Sequence, residues 1–366
     1  MKSKESTILI EKNFKLSTKN KKKDREDDLI EILKIFSPGT SIRIALDDMM
    51  RARMGALIVV DKEKISSIVE GGFRINCKFS PQRLVELSKM DGAIILSENL
   101  KKILYANTLL SPSIGITTKE TGTRHKAAER TATQFNTIVI AVSERRNRIT
   151  VYFWGNKYVL KETSEVLRRA AETLQILEKQ KEIFNDLLYP LNLLEMNNLV
   201  TISDVGKILR EIETIRRIAK SVRRYLVELG KEGIIVSMRL QELTRNLNKE
   251  REMILRDYFK LDHSKVNETL KNMNFDSLIE TTNILEVLFN ETRDRPITAQ
   301  GLRILNKTNI GEKDMRMLLT KYKTLEKIFS LEKEALSKVF KDKELVDSLK
   351  QNLDSLKEKI LVGKNL

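Results

Sequence analysis

Residues 80–96, SPQRLVELSKMDGAIIL, hold a helix, a turn and a strand in one short stretch. Ser80 followed by Pro81 reads as an N-cap and a first helical residue. Leu84 and Leu87 then fall three apart, on the inward face of a helix over residues 82–89. Asp91 and Gly92 turn the chain, and Ala93–Leu96 is apolar throughout, as a strand buried on both faces must be.

The same grammar extends on both sides. Short β-rich runs recur at residues 56–60, 138–142 and 149–153, and a second helix is expected over 123–134. A helical pattern at 28–36 stops at Ser37, Pro38 and Gly39. Strands alternating with helices predict a mixed-sheet α/β domain over residues 27–160. Before it, residues 1–26 carry Lys21, Lys22 and Lys23 in a polar setting and are expected to form a flexible arm.

After Lys161 the strand signal stops. Val205, Ile208, Ile212, Ile215, Ala219, Val222, Leu226 and Leu229 step by three and four, the seam of a packed helix, until Gly230 and Gly233 break it. A preceding helix over 162–188 is expected to end at Tyr189 and Pro190, and another helical region follows Ile234. Residues 161–295 therefore read as an all-α spine, and 296–366 as a compact unit of short helices with polar breaks at 308–312, 329–331 and 341–343.

Composition bounds the function. A chain of 366 residues is too long for one core, and 41% hydrophobic with 32% charged residues excludes global disorder. The 67 lysines and arginines exceed the 51 acidic residues by 16, a field that attracts polyanions. Cys77 is the sole cysteine, so neither an intrachain disulfide nor a zinc ribbon can form. No apolar run is long enough to span a bilayer and no segment has a wide apolar face with aromatic anchors, so a soluble cytoplasmic protein without a membrane partner is expected.

Two clusters carry chemistry. Asp91, Gly92 and Ala93 place a carboxylate where a buried strand begins, although Asp-Gly alone is an ordinary turn. Residues 121–130, TGTRHKAAER, feed a glycine-bearing loop into a helix N-terminus loaded with cations. Free amides, the positive end of the dipole and Arg124 favour phosphate there. Cations at that end otherwise disfavour the helix slightly; a surface salt-bridge cluster is the other reading.

With these residues the stretch 28–153 resembles the diadenylate cyclase domain of the DisA family of DNA integrity scanning proteins. That family is marked by a DGA motif, here Asp91, Gly92, Ala93, and an RHR motif, here Arg124, His125, Lys126. Residues 41–60, SIRIALDDMMRARMGALIVV, match the approach to the first motif. Lys126 departs from the pattern, keeping a charge but losing bidentate geometry.

The resemblance implies condensation of two ATP molecules into cyclic di-AMP and pyrophosphate. Asp91 would ligand Mg²⁺ or Mn²⁺ and help activate the hydroxyl. Gly92, Ala93 and Leu110 would line the nucleotide pocket. Thr123, Arg124, His125, Lys126 and Ala127 would hold the phosphates, with Ser143 and Arg146 as further ATP contacts. Asp91, Arg124 and His125 are the implied catalytic residues. For His125 a phosphate-contacting donor is the preferred role, with a structural histidine as the alternative; His263 reads as surface. A two-fold symmetric product requires two active faces to meet, so subunits must pair isologously, and the family implies a homo-octamer.

At the far end, residues 300–323, QGLRILNKTNIGEKDMRMLLTKYK, resemble the family's first helix-hairpin-helix element. Lys307, Gly311, Lys313 and Arg316 would contact branched or damaged DNA through its phosphates, without reading sequence. The second element, near 339–346 (VFKDKELV), has Lys341–Lys343 where glycines are expected. A non-catalytic, nucleotide-sensing DNA scaffold is the alternative reading of the whole chain.

Overall fold

The computed structural model describes residues 25–363 except 64, 260–262, 292–293 and 309. The Lys21–Lys23 stretch expected as an arm lies outside the described residues. The chain divides into two compact units: one of the described residues up to Arg169 together with Arg224–Ile234, the other of Ala170–Arg223 and the residues from Ile235 onward.

The first unit opens with helices α1 (Arg25–Ile35) and α2 (Ser41–Arg51). Thr40 caps α2, its hydroxyl accepting from Arg43 N. The chain then forms β1 (Ala56–Val60), β2 (Val69–Glu70), β3 (Phe73–Lys78), α3 (Pro81–Leu87), β4 (Ala93–Leu96), β5 (Lys102–Leu110), α4 (Thr123–Phe135), β6 (Ile138–Ser143), β7 (Arg148–Phe153) and β8 (Asn156–Leu160). The strand order is β2-β5-β4-β1-β6-β7-β8, with β3 also on β5. Strands β1 and β4 pair in parallel, Leu57 opposite Ala93; β1 runs antiparallel to β6, Ala56 opposite Val142.

Period-two alternation assigns every central strand to two cores. Ala56, Ile58, Val60, Ile94, Leu96, Ile138, Ile140 and Val142 face α1, α2 and Leu84 of α3. Leu57, Val59, Ala93, Ile95, Val139, Ala141 and Tyr152 face Ala128 and Ala132 of α4. Because helices cover both faces, β1 and β4 are buried along their whole length. This is the mixed α/β layer the sequence predicts. Of the two leucines expected inward on α3, Leu84 is fully buried and Leu87 only packs at the rim of that core.

The helical region departs from expectation at Pro190. Helix α5 spans Thr163–Met196 and passes through it. An interior proline removes one hydrogen bond and crowds the preceding turn, a cost of about 3 kcal/mol. Pro190 is exposed, and the turn beyond it buries Leu191, Asn192, Glu195 and Met196; that burial carries the helix past the break. Helix α6 (Ile202–Leu229) buries the predicted seam at Val205, Ile208, Ile212, Ile215, Ala219, Val222 and Leu229, with Leu226 partly exposed, and ends in a 3-10 turn at Gly230–Gly233.

There follow α7 (Ile234–Leu243), α8 (Leu247–Tyr258), α9 (His263–Asn272), α10 (Phe275–Ile279) and α11 (Thr281–Phe289), then α12 (Leu302–Leu305), α13 (Glu312–Tyr322), α14 (Leu325–Phe329), α15 (Lys333–Ser337) and α16 (Lys343–Val362). The last is 20 residues long, not one of the short helices expected, because Val346, Leu349, Leu353, Leu356 and Ile360 keep one face on the core of α12–α15. Among the described residues no helix is long and apolar enough to cross a membrane.

Candidate functional site

One edge of the sheet gathers most of the predicted head residues. The parallel register of β1 and β4 sets Asp91 and Gly92 level with the start of β1 at Gly55. The antiparallel partner of Ala93 is Thr108, so the end of β5 at Leu110 reaches the same edge. On the other side Ala56 pairs with Val142, which brings Ser143 there as well.

Helix α4 completes the edge. A Cβ built on Gly55 would lie 2.3 Å from Arg124 Nη1, so the guanidinium rests on the bare glycine backbone at the head of β1. Asp91 and Arg124 are thereby brought to one place through Gly55. Thr123, Arg124, His125, Lys126 and Ala127 form the first turn and a half of α4, behind Gly122, whose side makes no capping hydrogen bond. The amides are thus left to a ligand, and the first turn holds no acidic residue. Among the described residues Arg124, Lys126 and Arg146 have no carboxylate partner. The arrangement is a cationic rim with free amides, suited to phosphate groups.

Gly92 is required twice over. Its φ is +92°, and a Cβ would stand 2.8 Å from Thr108 O. Thr108, buried, donates from Oγ1 to Ala93 O at 2.9 Å, which fixes the start of β4 beside the exposed Asp91 carboxylate. Among the described residues no group of three or more His, Cys, Asp or Glu side chains could hold a metal alone. A lone carboxylate still fits Mg²⁺ or Mn²⁺ when phosphate oxygens complete the shell.

His125 is held from behind. Its Nδ1 lies 2.9 Å from Tyr152 Oη, and the rings meet edge to face at 6.2 Å. Its Nε2 is buried without a hydrogen-bond partner. Burial holds the imidazole pKa below its ordinary value, with Arg146, Arg124 and Lys157 acting the same way and Glu120 opposing them. Glu120 is itself lowered, first by its hydrogen bond from Lys157, with the nearby Tyr152 acting the same way. Burial and Glu120 raise the Tyr152 phenol.

Gly55, Glu120, Tyr152 and Lys157 are absent from the sequence reading. Tyr152 carried a signal, since a hydroxyl in a run of buried apolar residues must find a partner. Glu120 carried none; a loop brings it to the site.

The distal candidates lie in the second unit and are less free. Lys307 is paired with Glu250 at 3.2 Å and Arg316 with Glu312 at 2.7 Å. Gly311 precedes α13, whose first turn contains Glu312 and Asp314; Lys313 is exposed. At the second hairpin position Asp342 caps α16, accepting from Glu344 N and Leu345 N. The side chain of His263 lies outside the described residues.

Two family models match the chain. One described as DisA bacterial checkpoint controller nucleotide-binding matches residues 43–157, and one described as DisA bacterial checkpoint controller linker region matches residues 160–294. The DNA integrity scanning protein DisA of Acetivibrio thermocellus is 42% identical over 324 residues, covering 86% of this chain and 90% of its own. That of Clostridioides difficile is 43% identical over 288 residues, 76% of this chain and 81% of its own. That of Clostridium perfringens strain 13 is 38% identical over 349 residues, 93% of this chain and 99% of its own. The chain belongs to the DisA family and carries that family's diadenylate cyclase domain in its first unit.

Proposed function

We propose that this chain condenses two ATP molecules into cyclic di-AMP with release of pyrophosphate. The observation that carries the reading is the convergence, at one sheet edge, of the Asp91 carboxylate with the Arg124 guanidinium and the uncapped start of α4. The reaction needs the 3′-hydroxyl of each ATP placed against the α-phosphate of the other, with developing charge neutralised. Arg124, Lys126 and the amides of Thr123, Arg124 and His125 hold phosphates, with Ala127 behind them; Gly92, Ala93 and Leu110 line the nucleotide; Ser143 and Arg146 close the rim. Asp91 would hold Mg²⁺ or Mn²⁺, which would supply charge neutralisation and acidify the hydroxyl.

One such edge presents one nucleotide, so two subunits meet face to face, and the family resemblance supports further pairing into an octamer. The second unit binds branched DNA through Lys313 and the start of α13, with Lys307 and Arg316 contributing once released from Glu250 and Glu312. The excess of 16 positive charges supports this.

Purified chain incubated with ATP and either metal should release pyrophosphate and yield cyclic di-AMP, with specific activity that falls on dilution as subunits part. No product with either metal over a range of protein concentrations would reject the reading.

A further inference from the structure

An open groove of about 790 Å³ lies in the second unit, between the end of α8, the segment 298–302 and one face of α13. Leu302 and Leu319 supply half-buried apolar lining, while Glu312, Arg316 and Lys323 are exposed along it. Glu312, Arg316, Leu319 and Lys323 step by four, three and four, so they share one helical face. That face is about 16 Å long at 1.5 Å per residue, nearly five steps of about 3.4 Å along one nucleic-acid strand. Gly301 lets the opposite wall come close: its φ is +93°, and a Cβ there would stand 2.9 Å from Leu325 Cγ and 3.1 Å from Leu319 Cδ2.

The charges gather around one carboxylate. Arg316 Nη2 donates to Glu312 Oε1 at 2.7 Å, and Arg256 Nη1 lies 3.8 Å from the same oxygen. Arg256 also donates to Glu252 at 2.6 Å. Lys323 has no carboxylate partner among the described residues. A carboxylate between two guanidinium groups marks a place where an oxyanion is stable, and a phosphodiester offers the same paired oxygens. Both pairs to Glu312 are open to solvent and hence weak, so a polyanion that releases counterions can displace it.

The lining favours a strand over a free nucleotide. No aromatic ring lines the groove to stack a lone base. Its cations are spread along α13 and across to α8, as a repeating charge requires. The groove also begins beside Gly311 and Lys313 at the start of α13.

We propose that this groove carries the phosphodiester backbone of one strand of bound DNA from the start of α13 to Lys323, with a phosphate replacing the Glu312 carboxylate between Arg256 and Arg316. The inference rests on the DNA-binding reading and extends it in two ways. Arg256, within the stretch matched by the linker-region model, becomes a DNA contact together with Lys323. Glu312 becomes a residue that holds DNA off.

Fluorescence anisotropy of a labelled four-way DNA junction with the full-length chain, over about 50 to 200 mM salt, tests this. Arg256→Gln and Lys323→Gln should each weaken binding and lower the salt slope by about 1. Glu312→Gln should tighten binding about 3- to 5-fold, the worth of one exposed charge pair. Lys357→Gln, exposed on α16, should change neither affinity nor slope. Wild-type slopes in folded Arg256→Gln and Lys323→Gln, or weaker binding by Glu312→Gln, would overturn the groove and leave DNA binding standing. No binding by wild type at the lowest salt would reject the DNA reading and the groove with it. A lower ATP stoichiometry in Arg256→Gln with an unchanged DNA slope would give the groove to a free nucleotide and overturn the strand.

Discussion

The two units each bury a polar cluster, and the clusters differ in whether they are complete. In the second unit Arg303, 1% exposed, donates Nε to Glu195 at 3.2 Å, Nη1 to Glu250 at 2.7 Å, and Nη2 to both Asn192 and Glu195 at 2.6 Å. Tyr258 also donates to Glu195, at 2.6 Å, and Asp257 accepts the backbone amides of Leu302 and Arg303 at 2.8 and 2.9 Å. Nothing in that cluster is left for a ligand. In the first unit the cluster at the head of α4 leaves Arg124, Lys126, the α4 amides and His125 Nε2 unmatched. A closed network fixes packing, whereas an open one reserves its groups for something that arrives.

The contrast can be broken most sharply at Arg303. Arg303→Met strands Glu195 and Glu250 in the interior and should cost about 3–5 kcal/mol of stability in the second unit, read from denaturant unfolding. A loss below about 1 kcal/mol would show that the cluster is not closed as described. Arg124→Ala should do the reverse. Turnover should drop about 100- to 1000-fold, as for the loss of one preorganised charge-stabilising donor, with the unfolding midpoint where it was. A folded variant within threefold of wild type would remove Arg124 from the site.

Gly55→Ala sharpens the same point. Its backbone tolerates a methyl group, but the added Cβ pushes the guanidinium aside, so turnover should fall about 10-fold with little change in stability. Unaltered turnover would mean that the resting place of Arg124 on Gly55 is irrelevant to the chemistry. Further down in size, Lys313→Ala should lower the salt slope of DNA binding by about 1, and Lys307→Ala should lower it less, because Glu250 already holds that ammonium. Equal slopes for the two variants would contradict the pairing.

The smallest effect is on pH dependence. The folded His125 pKa lies below the free value of 6.5, so below that pH the unfolded ring takes a proton that the folded ring refuses. Stability should therefore be flat above the free value and decline as pH falls through the window beneath it, and His125→Asn should remove that component. A component that grows as pH falls would mean the ring is charged in the fold.

The sequence made the first unit legible because its strands are short, apolar and bounded by turn residues, as at Ala93–Leu96 after Asp91 and Gly92. Strand β5 escaped notice since its exposed Lys102 and left-handed Asn107 and its buried but polar Thr108 blur the alternation. The helix through Pro190 was illegible for another reason: the burial of Asn192 and Glu195 that sustains it depends on Arg303, more than a hundred residues away in sequence. The DGA and RHR-like segments announced themselves through glycine and cations beside structured elements. Their supports did not, since Gly55, Tyr152 and Glu120 acquire meaning only once β1, β7 and the loop before α4 are brought together.

Mass analysis of the product formed from ATP and Mn²⁺ by wild type and Arg124→Ala, side by side, tests the central claim most directly. Wild type should convert ATP to cyclic di-AMP and pyrophosphate, and the variant should show only a trace. Cyclic di-AMP absent from both, or formed equally by both, would contradict the site at the head of α4.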